Sequence, residues 1–414
     1  MDVVTANLVA VMATSSESDL KTEIFSLLVI AAIAAATPLV VGLLRLPVAE
    51  VVLMLGLGVL FGPELLGWIQ LDEAIDLLAE LGLAFLFFAA GLELEKHAIR
   101  GRSGKLALIG WLVSAALALG VTGLLDVAGI VDDFLGVAIC LTSTALGTLL
   151  PVLRDKGLLK TPFGTYFMGA GAIGEFGPVL AISLLLTTKS FGLALLSVLL
   201  FGAVALAFAK IPEWLRTDRV LAVIERGHET SSQTAVRLTA LLLVALLAVA
   251  EGFGLDVVLG AFIAGIIIKQ LSPANEEAVL QKKVEGIAFG VFIPIFFIVS
   301  GARLDVDSIV ENPSLLLIFF VLLLVVRGIP QFFIYRRAIP QAKERAGYSL
   351  YVATALPIIV AVTSVELGAG LMSPSVAAAL VGAGALSVLV FPLIAQTLLP
   401  KRPAQEDERA AATA

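Results

Sequence analysis

Glu175 stands in Gly169-Ala-Gly-Ala-Ile-Gly-Glu175-Phe-Gly-Pro-Val-Leu180, inside an apolar run from about Pro162 to Leu186 that is long enough to cross a bilayer as a helix. That places its carboxyl close to the membrane midplane. A charge there costs about 2.5–3.5 kcal/mol on insertion scales, so the group must face protein or water, or carry a proton. Glycines 169, 171, 174 and 177 thin the helix and let other backbones, water or an ion approach. Pro178 lacks a backbone donor and frees a carbonyl near the carboxylate. Such a carboxyl is suited to binding a proton or a small cation; the plainer reading is a protonated group packed in a bundle. Arg327, in Leu-Val-Val-Arg327-Gly-Ile-Pro330, is the clearest charge of opposite sign within an apolar run. An arginine stays charged and needs a partner in hydrocarbon. It is expected as the charge partner of Glu175, either as a structural ion pair or as a switch in which a cation or proton competes with it.

Hydroxyls supply further oxygen ligands. Thr142, Ser143 and Thr144 lie together at the centre of one apolar run, with Pro151 beyond them, and Thr354, Pro357, Thr363 and Ser364 lie in another. Mid-span hydroxyls and prolines let a helix unwind and turn freed carbonyls towards a cavity. The same residue types also serve ordinary helix packing. Two broken helices that cross would aim opposing half-helix ends at one point, where small ions bind. The expected ion- and proton-binding set is Glu175, Thr142, Ser143 and Thr144, with Gly174, Pro178, Thr354 and Pro357 supporting the crossing.

The elements that must position these residues follow from composition. The chain is 59% hydrophobic and only 15% charged, which marks a polytopic all-α membrane protein rather than a soluble domain. Its single cysteine, Cys140, excludes a disulfide framework and a cysteine metal cluster, and two histidines exclude a multi-histidine site within the chain. No metal other than a small cation held in passing at Glu175, no cofactor and no nucleic-acid partner is expected. The N-terminal stretch has no basic residue ahead of its apolar run and does not read as a secretory signal.

Apolar runs predict thirteen spans near 24–44, 47–62, 74–92, 105–125, 134–153, 162–186, 190–209, 237–252, 255–271, 285–302, 314–335, 347–366 and 375–398. Most of the 27 basic residues then fall in alternate loops, among them Lys96, Arg100 and Arg102, Arg216 and Arg219, and Arg336 and Arg337. The opposite side has Lys21, Lys189 and Arg303. The positive-inside rule puts the N-terminus outside and the C-terminus in the cytoplasm of a cell whose inner (plasma) membrane the chain crosses repeatedly. Segment 211–227 reads as an amphipathic helix on the cytoplasmic surface.

Short matches at nearly equal offsets relate the two halves. Gly169-Ala-Gly-Ala172 recurs as Gly382-Ala-Gly-Ala385, and Thr144-Ala-Leu146 as Thr354-Ala-Leu356. The expected organisation is an outer N-terminal tail over 1–23, a first six-helix repeat over 24–186, and a linker helix with an amphipathic segment over 187–236. A second, inverted repeat follows over 237–398, then a cytoplasmic tail over 399–414. The carboxylate breaks the symmetry, since Glu175 aligns with Val388. Other acids (Asp76, Glu80, Asp126, Asp132, Asp133, Glu251 and Glu366) fall near outer helix ends, where they are expected to be hydrated and to collect cations around an entrance. Glu50 is expected to snorkel, and His97 and His228 titrate near neutrality.

On Leu141-Thr-Ser-Thr-Ala145, Gly174-Glu175, Phe296-Phe-Ile-Val-Ser-Gly301 through Asp305, and Val326-Arg327, the chain resembles the monovalent cation:proton antiporter-2 family, Kef-type group, over roughly residues 24 to 398. The resemblance implies the sodium/proton antiporter fold, a mobile core of helices four to six and eleven to thirteen, and a dimerisation panel formed by the others, hence a homodimer. It also implies Glu175 as the ion-binding acid and Arg327 as the basic position. Relatives of this kind place Asp, Asn or Gln before an acid that is commonly Asp; here the residues are Gly174 and Glu175. Exchange of Na⁺ or K⁺ for H⁺ at Glu175 follows as the expected activity, with one acid implying electroneutral one-for-one exchange. Nucleotide gating within the polypeptide is not expected, because no Gly-rich dinucleotide fingerprint follows a predicted strand. A sodium-coupled symporter of a small organic solute is the alternative. An intramembrane enzyme is disfavoured, because the sequence has no His-Glu-x-x-His, no paired intramembrane aspartates and no nucleophile–base pair.

Overall fold

The computed structural model describes residues 3–44, 49–93, 101–159, 161–185, 191–215, 233–271 and 277–399. Every regular element among them is helical: α1 (Val3–Leu44), α2 (Glu50–Phe61), α3 (Glu73–Glu93), α4 (Gly101–Val127), α5 (Phe134–Leu141) and α6 (Leu146–Asp155). Then come α7 (Pro162–Leu185), α8 (Phe191–Leu215), α9 (Thr234–Gly252) and α10 (Val257–Leu271). A π turn at Ala288–Phe292 joins α11 (Glu277–Ile287) to α12 (Ile293–Ala302); the short α13 (Val306–Glu311) follows. A second π turn at Leu323–Gly328 joins α14 (Pro313–Leu322) to α15 (Ile329–Ile334), and the chain ends in α16 (Ala342–Ala353), α17 (Pro357–Gly368) and α18 (Pro374–Leu398).

Nine helical stretches among the described residues are long and apolar enough to cross a membrane, which makes this a multi-pass membrane protein. Four shorter apolar stretches, Glu50–Phe61, Phe134–Leu150, Gly192–Phe208 and Val257–Gln270, coincide with the expected spans at 47–62, 134–153, 190–209 and 255–271. In α4 the apolar residues are not inside. Only 22% of its most hydrophobic stretch is buried, and Leu108, Ile109 and Leu112 lie exposed. A helix that is apolar on its outer face suits a hydrocarbon solvent.

Three expectations change. Residues 3–23, expected as an outer tail, are helical and continuous with the first span in α1, which meets no proline before Pro38. Residues 211–215 prolong α8 rather than opening a separate surface helix, and the rest of the expected amphipathic segment lies outside the described residues, as do His97, His228 and 400–414. The span expected to begin at 285 begins at Glu277 and bulges through a π turn immediately before Pro294, whose missing donor disrupts the regular ladder.

The chain divides into two compact units. Residues up to Leu86 together with Glu285–Val306 form the first. There α2 and α12 meet backbone to backbone: a side chain at Gly58 would strike the Ile298 carbonyl, and one at Gly301 the Leu55 carbonyl. Small residues permit that approach, which replaces hydrophobic burial as the packing force in lipid. Asp76, expected to be merely hydrated, is ion-paired with Arg303. The second unit, Phe87–Val284 with Asp307 onwards, contains every residue of the expected site. Its inner core sets Leu146, Leu149 and Leu153 of α6 against Phe163 and Phe167 of α7 and Tyr348 and Tyr351 of α16. Edge-on aromatic pairs (Phe163–Tyr348, 5.5 Å; Phe167–Tyr351, 6.1 Å) lock α7 to α16.

Candidate ion-binding site

Two helices break inside this unit. The first ends at Leu141 because the Thr142 and Ser143 hydroxyls turn back onto the Ile139 and Cys140 carbonyls at 2.8 and 2.7 Å. Such local bonds compete with the helical ladder. The chain then has no regular structure to Ala145 before α6 begins. Pro151, expected to favour the break, lies within α6 instead. The second break, Thr354–Leu356, ends where Pro357 takes an N-terminal position of α17 that needs no donor.

The breaks touch through their peptide groups. Ala145 N donates to the Thr354 carbonyl at 2.8 Å, and the Thr144 hydroxyl donates to the Val352 carbonyl at 2.8 Å. Pro178 explains a third bond. It has no N–H to offer the carbonyl four residues back, Gly174, and that carbonyl accepts Thr144 N at 3.2 Å instead. On the other side Ser387 of α18 takes both groups of Ala355, accepting its N–H at 3.0 Å and donating to its carbonyl at 2.9 Å. Each broken helix is thus stitched to its neighbours by the groups its break set free.

Glu175 caps the half-helix that begins at the first break. Its Oε1 accepts from Leu146 N at 2.9 Å and Gly147 N at 3.3 Å, the first N–H groups of α6, where the helix dipole also favours a negative charge; Leu146 N is shared with the Thr144 carbonyl at 3.1 Å. The residue is 7% exposed. Among the described residues no donor reaches Oε2, and that oxygen is not among the sealed, unpartnered atoms. One carboxylate oxygen is therefore fixed by main chain, and the other is open to a proton or cation.

Arg327 corrects an expectation. It lies fully buried in the second π turn, but it forms no ion pair with Glu175. Its Nε donates to the Thr144 hydroxyl and its Nη2 to the Ala170 carbonyl, both at 3.0 Å, and its Nη1 meets no acceptor. The reason is that Glu175 already has its donors in α6, while Gly174 leaves the space that the guanidinium fills. A methyl at 174 would stand 2.6 Å from both Arg327 Nη2 and Thr144 Oγ1.

The structure thus brings together Glu175, Thr144, Gly174, Arg327 and the Thr354 carbonyl. The Thr142 and Ser143 hydroxyls serve their own helix end. Cys140 is fully buried, as its apolar setting implied. Glu93, at the end of α3, was not singled out from the sequence. Its Oε2 lies 3.5 Å from where a side chain at Gly147 would begin, and its charge acts on Glu175. The signal was present in Gly91-Leu-Glu93-Leu-Glu95, an acid at the very end of an apolar run.

These features define a polytopic membrane protein built on two interrupted, crossing helices with one carboxylate at the crossing. The model of the family described as sodium/hydrogen exchanger, transmembrane, matches residues 27–401, and the chain belongs to that family. It is 30% identical over 287 residues to the Na⁺/H⁺-K⁺ antiporter GerN of Bacillus cereus, covering 65% of this chain and 67% of that one. It is 28% identical over 301 residues to a Na⁺/H⁺ antiporter of Enterococcus hirae, covering 69% and 73%. The chain spans about two thirds of the length of the curated relatives it matches. In fold it is similar to the sodium proton antiporter MjNhaP1 of Methanocaldococcus jannaschii, with a TM-score of 0.65 at 17% identity, over 92% of this chain and 99% of that one.

Proposed function

We propose that this protein exchanges Na⁺ or K⁺ for H⁺ across the inner membrane by alternating access, with Glu175 holding the proton and the cation in turn. The observation that carries the reading is the division of labour within one carboxylate: Oε1 is held by the first N–H groups of α6 and Oε2 is left open. Thr144 and the carbonyls freed at the two breaks supply neutral oxygens beside it, ligands of the kind that small hard cations take. Arg327 acts as a clamp on this arrangement. It keeps Thr144 and α7 in register and carries a positive charge into the crossing. One carboxylate at the crossing carries either one proton or one monovalent cation, so exchange is one for one.

Further parts of the reading rest on the sequence. The residues 24–186 and 237–398 are taken as inverted repeats, supported by the matching breaks at Thr144 and Thr354. The basic loops put the C-terminus in the cytoplasm, and a homodimer with an elevator-like core follows the family pattern. Relatives named as antiporters favour exchange, and no observation favours the symporter alternative. The test is Glu175→Ala in proteoliposomes. Loss of Na⁺- or K⁺-dependent proton flux, with the elution profile and melting of a folded protein, is the expected result; robust flux in that variant ends the assignment.

A further inference from the structure

A second pair of carboxyls meets where α5 and α17, the halves of the two broken helices that pack on each other, run away from the crossing. Asp133 caps α5, its Oδ1 accepting Gly136 N at 2.9 Å. Its Oδ2 is buried without a donor. Glu366, expected to be hydrated, is 1% exposed, and neither of its oxygens meets a donor. It lies twelve residues beyond Thr354 along α17, roughly 15–18 Å from the break at a helical rise of about 1.5 Å per residue. The turn that ends α17 packs on the Asp133 cap: Met372 N bonds the Glu366 carbonyl at 3.4 Å while the Met372 side chain reaches the Gly136 position, and Ser373 N bonds Asp132.

Two ionised carboxylates are acceptors only, so they cannot bond to each other. Buried face to face they repel unless one positive charge sits between them. The described residues around them do not supply it. Asp256, at the start of α10, adds a third acid whose Oδ1 is occupied by Val258 N at 2.8 Å. Asp132 beside the pair accepts Ser373 N at 2.9 Å, and Cys140 of α5 is the other titratable group in range. Among the described residues no lysine, arginine or histidine is ion-paired with Asp133 or Glu366. The side chain of Met372 packs over the capping turn. With none supplied by the described residues, the charge is taken to come from solution.

We propose that Asp133 and Glu366 form a second ion site, a carboxyl pair bridged by one proton that an incoming monovalent cation displaces. The exchange balances: the cation enters between the two carboxylates, the proton leaves to the solution at that end of the protein, and the pair holds one positive charge before and after. The inference rests on the reading of the chain as a cation–proton carrier and adds a station between the solution and Glu175. Each broken helix then carries a break at one end of its half and an acid at the other.

The test needs no turnover, so its outcome is separate from that of the Glu175 assignment. The purified full-length protein is treated with an apolar carbodiimide, which adds to protonated carboxyls, and the adduct at Glu366 is quantified by peptide mass spectrometry. Choline buffer is compared with Na⁺ and K⁺ at matched ionic strength. An adduct that forms in choline and falls roughly tenfold or more at saturating Na⁺ or K⁺ is expected, tenfold being the scale on which even supporting groups change metal affinity. Protection should persist in Glu175→Gln and be lost in Asp133→Asn; Asp133→Ser, which keeps a helix cap, serves if the Asn variant fails to fold. The proposal is overturned by no adduct at any pH tested, by labelling indifferent to both cations, by undiminished protection in the Asp133 variant, or by protection that disappears with Glu175→Gln.

Discussion

A guanidinium that gives Nε to Thr144 and Nη2 to the Ala170 carbonyl joins three separate segments, because each partner lies on a different part of the fold. Hydrogen bonds from a charged donor contribute about 1.5–3 kcal/mol each when buried, and the planar fork is what lets one side chain reach both acceptors. Lysine keeps the charge and loses the fork. Arg327→Lys is therefore expected to destabilise the protein by roughly 1.5–3 kcal/mol, read as a lowered melting temperature in detergent, with exchange reduced in parallel. A simple counter-ion to Glu175 would tolerate the change, so unaltered melting and unaltered exchange would remove the clamp from the account. Gly174 belongs to the same arrangement: with any larger residue there, Arg327 and Thr144 must both give way by the margin that a 2.6 Å approach demands.

At the scale of elements, the second break is held by Ser387, whose hydroxyl serves both peptide groups of Ala355 and also bonds the Gly384 carbonyl at 2.7 Å. Ser387→Ala leaves a buried N–H and a buried carbonyl without that partner, at about 1–3 kcal/mol for an unmet buried group. The expected signature is lower thermal stability together with faster hydrogen exchange at Ala355; unchanged exchange at that amide would mean water has taken over. The breaks themselves were legible in part. Thr142-Ser143-Thr144 and Thr354 with Pro357 mark both positions by residue type, and the apolar runs locate the helices to within a few residues. What composition could not show is which hydroxyl turns inward. Thr142 and Ser143 satisfy their own helix end, and only the third of the run reaches across, to the Val352 carbonyl. The Glu175–Arg327 pairing inferred from opposite charge at similar depth failed for a related reason: depth along a helix does not fix direction around it, and the free donors of α6 were invisible until the break was seen. Glu93 was missed because the end of an apolar run reads as the edge of the membrane, whereas its side chain approaches Gly147.

Over the whole molecule, stoichiometry sets what drives the carrier. A cycle moving one net charge is driven by about 2.3 kcal/mol per 100 mV, more than a tenfold bias in the gradient it sustains. One-for-one exchange ignores voltage. In proteoliposomes clamped with valinomycin and set potassium gradients, with Na⁺ as the transported ion, the Na⁺ gradient at which proton flux reverses should not move with the clamped potential. A reversal point that shifts would require a second titrating group in each cycle, and Glu93, whose charge acts on Glu175, would be the first to replace.

The hold on Glu175 has one more implication. Leu146 and Gly147 grip Oε1 through peptide nitrogens, which every non-proline residue supplies alike, so replacing side chains along the first turn of α6 leaves the grip in place unless proline is introduced. Ester-for-amide substitution at those two positions is the change that reaches it. A laboratory search for altered ion preference should accordingly collect its winners around Oε2, and variation at 146 and 147 should tune how tightly the turn packs while leaving the choice of ion untouched.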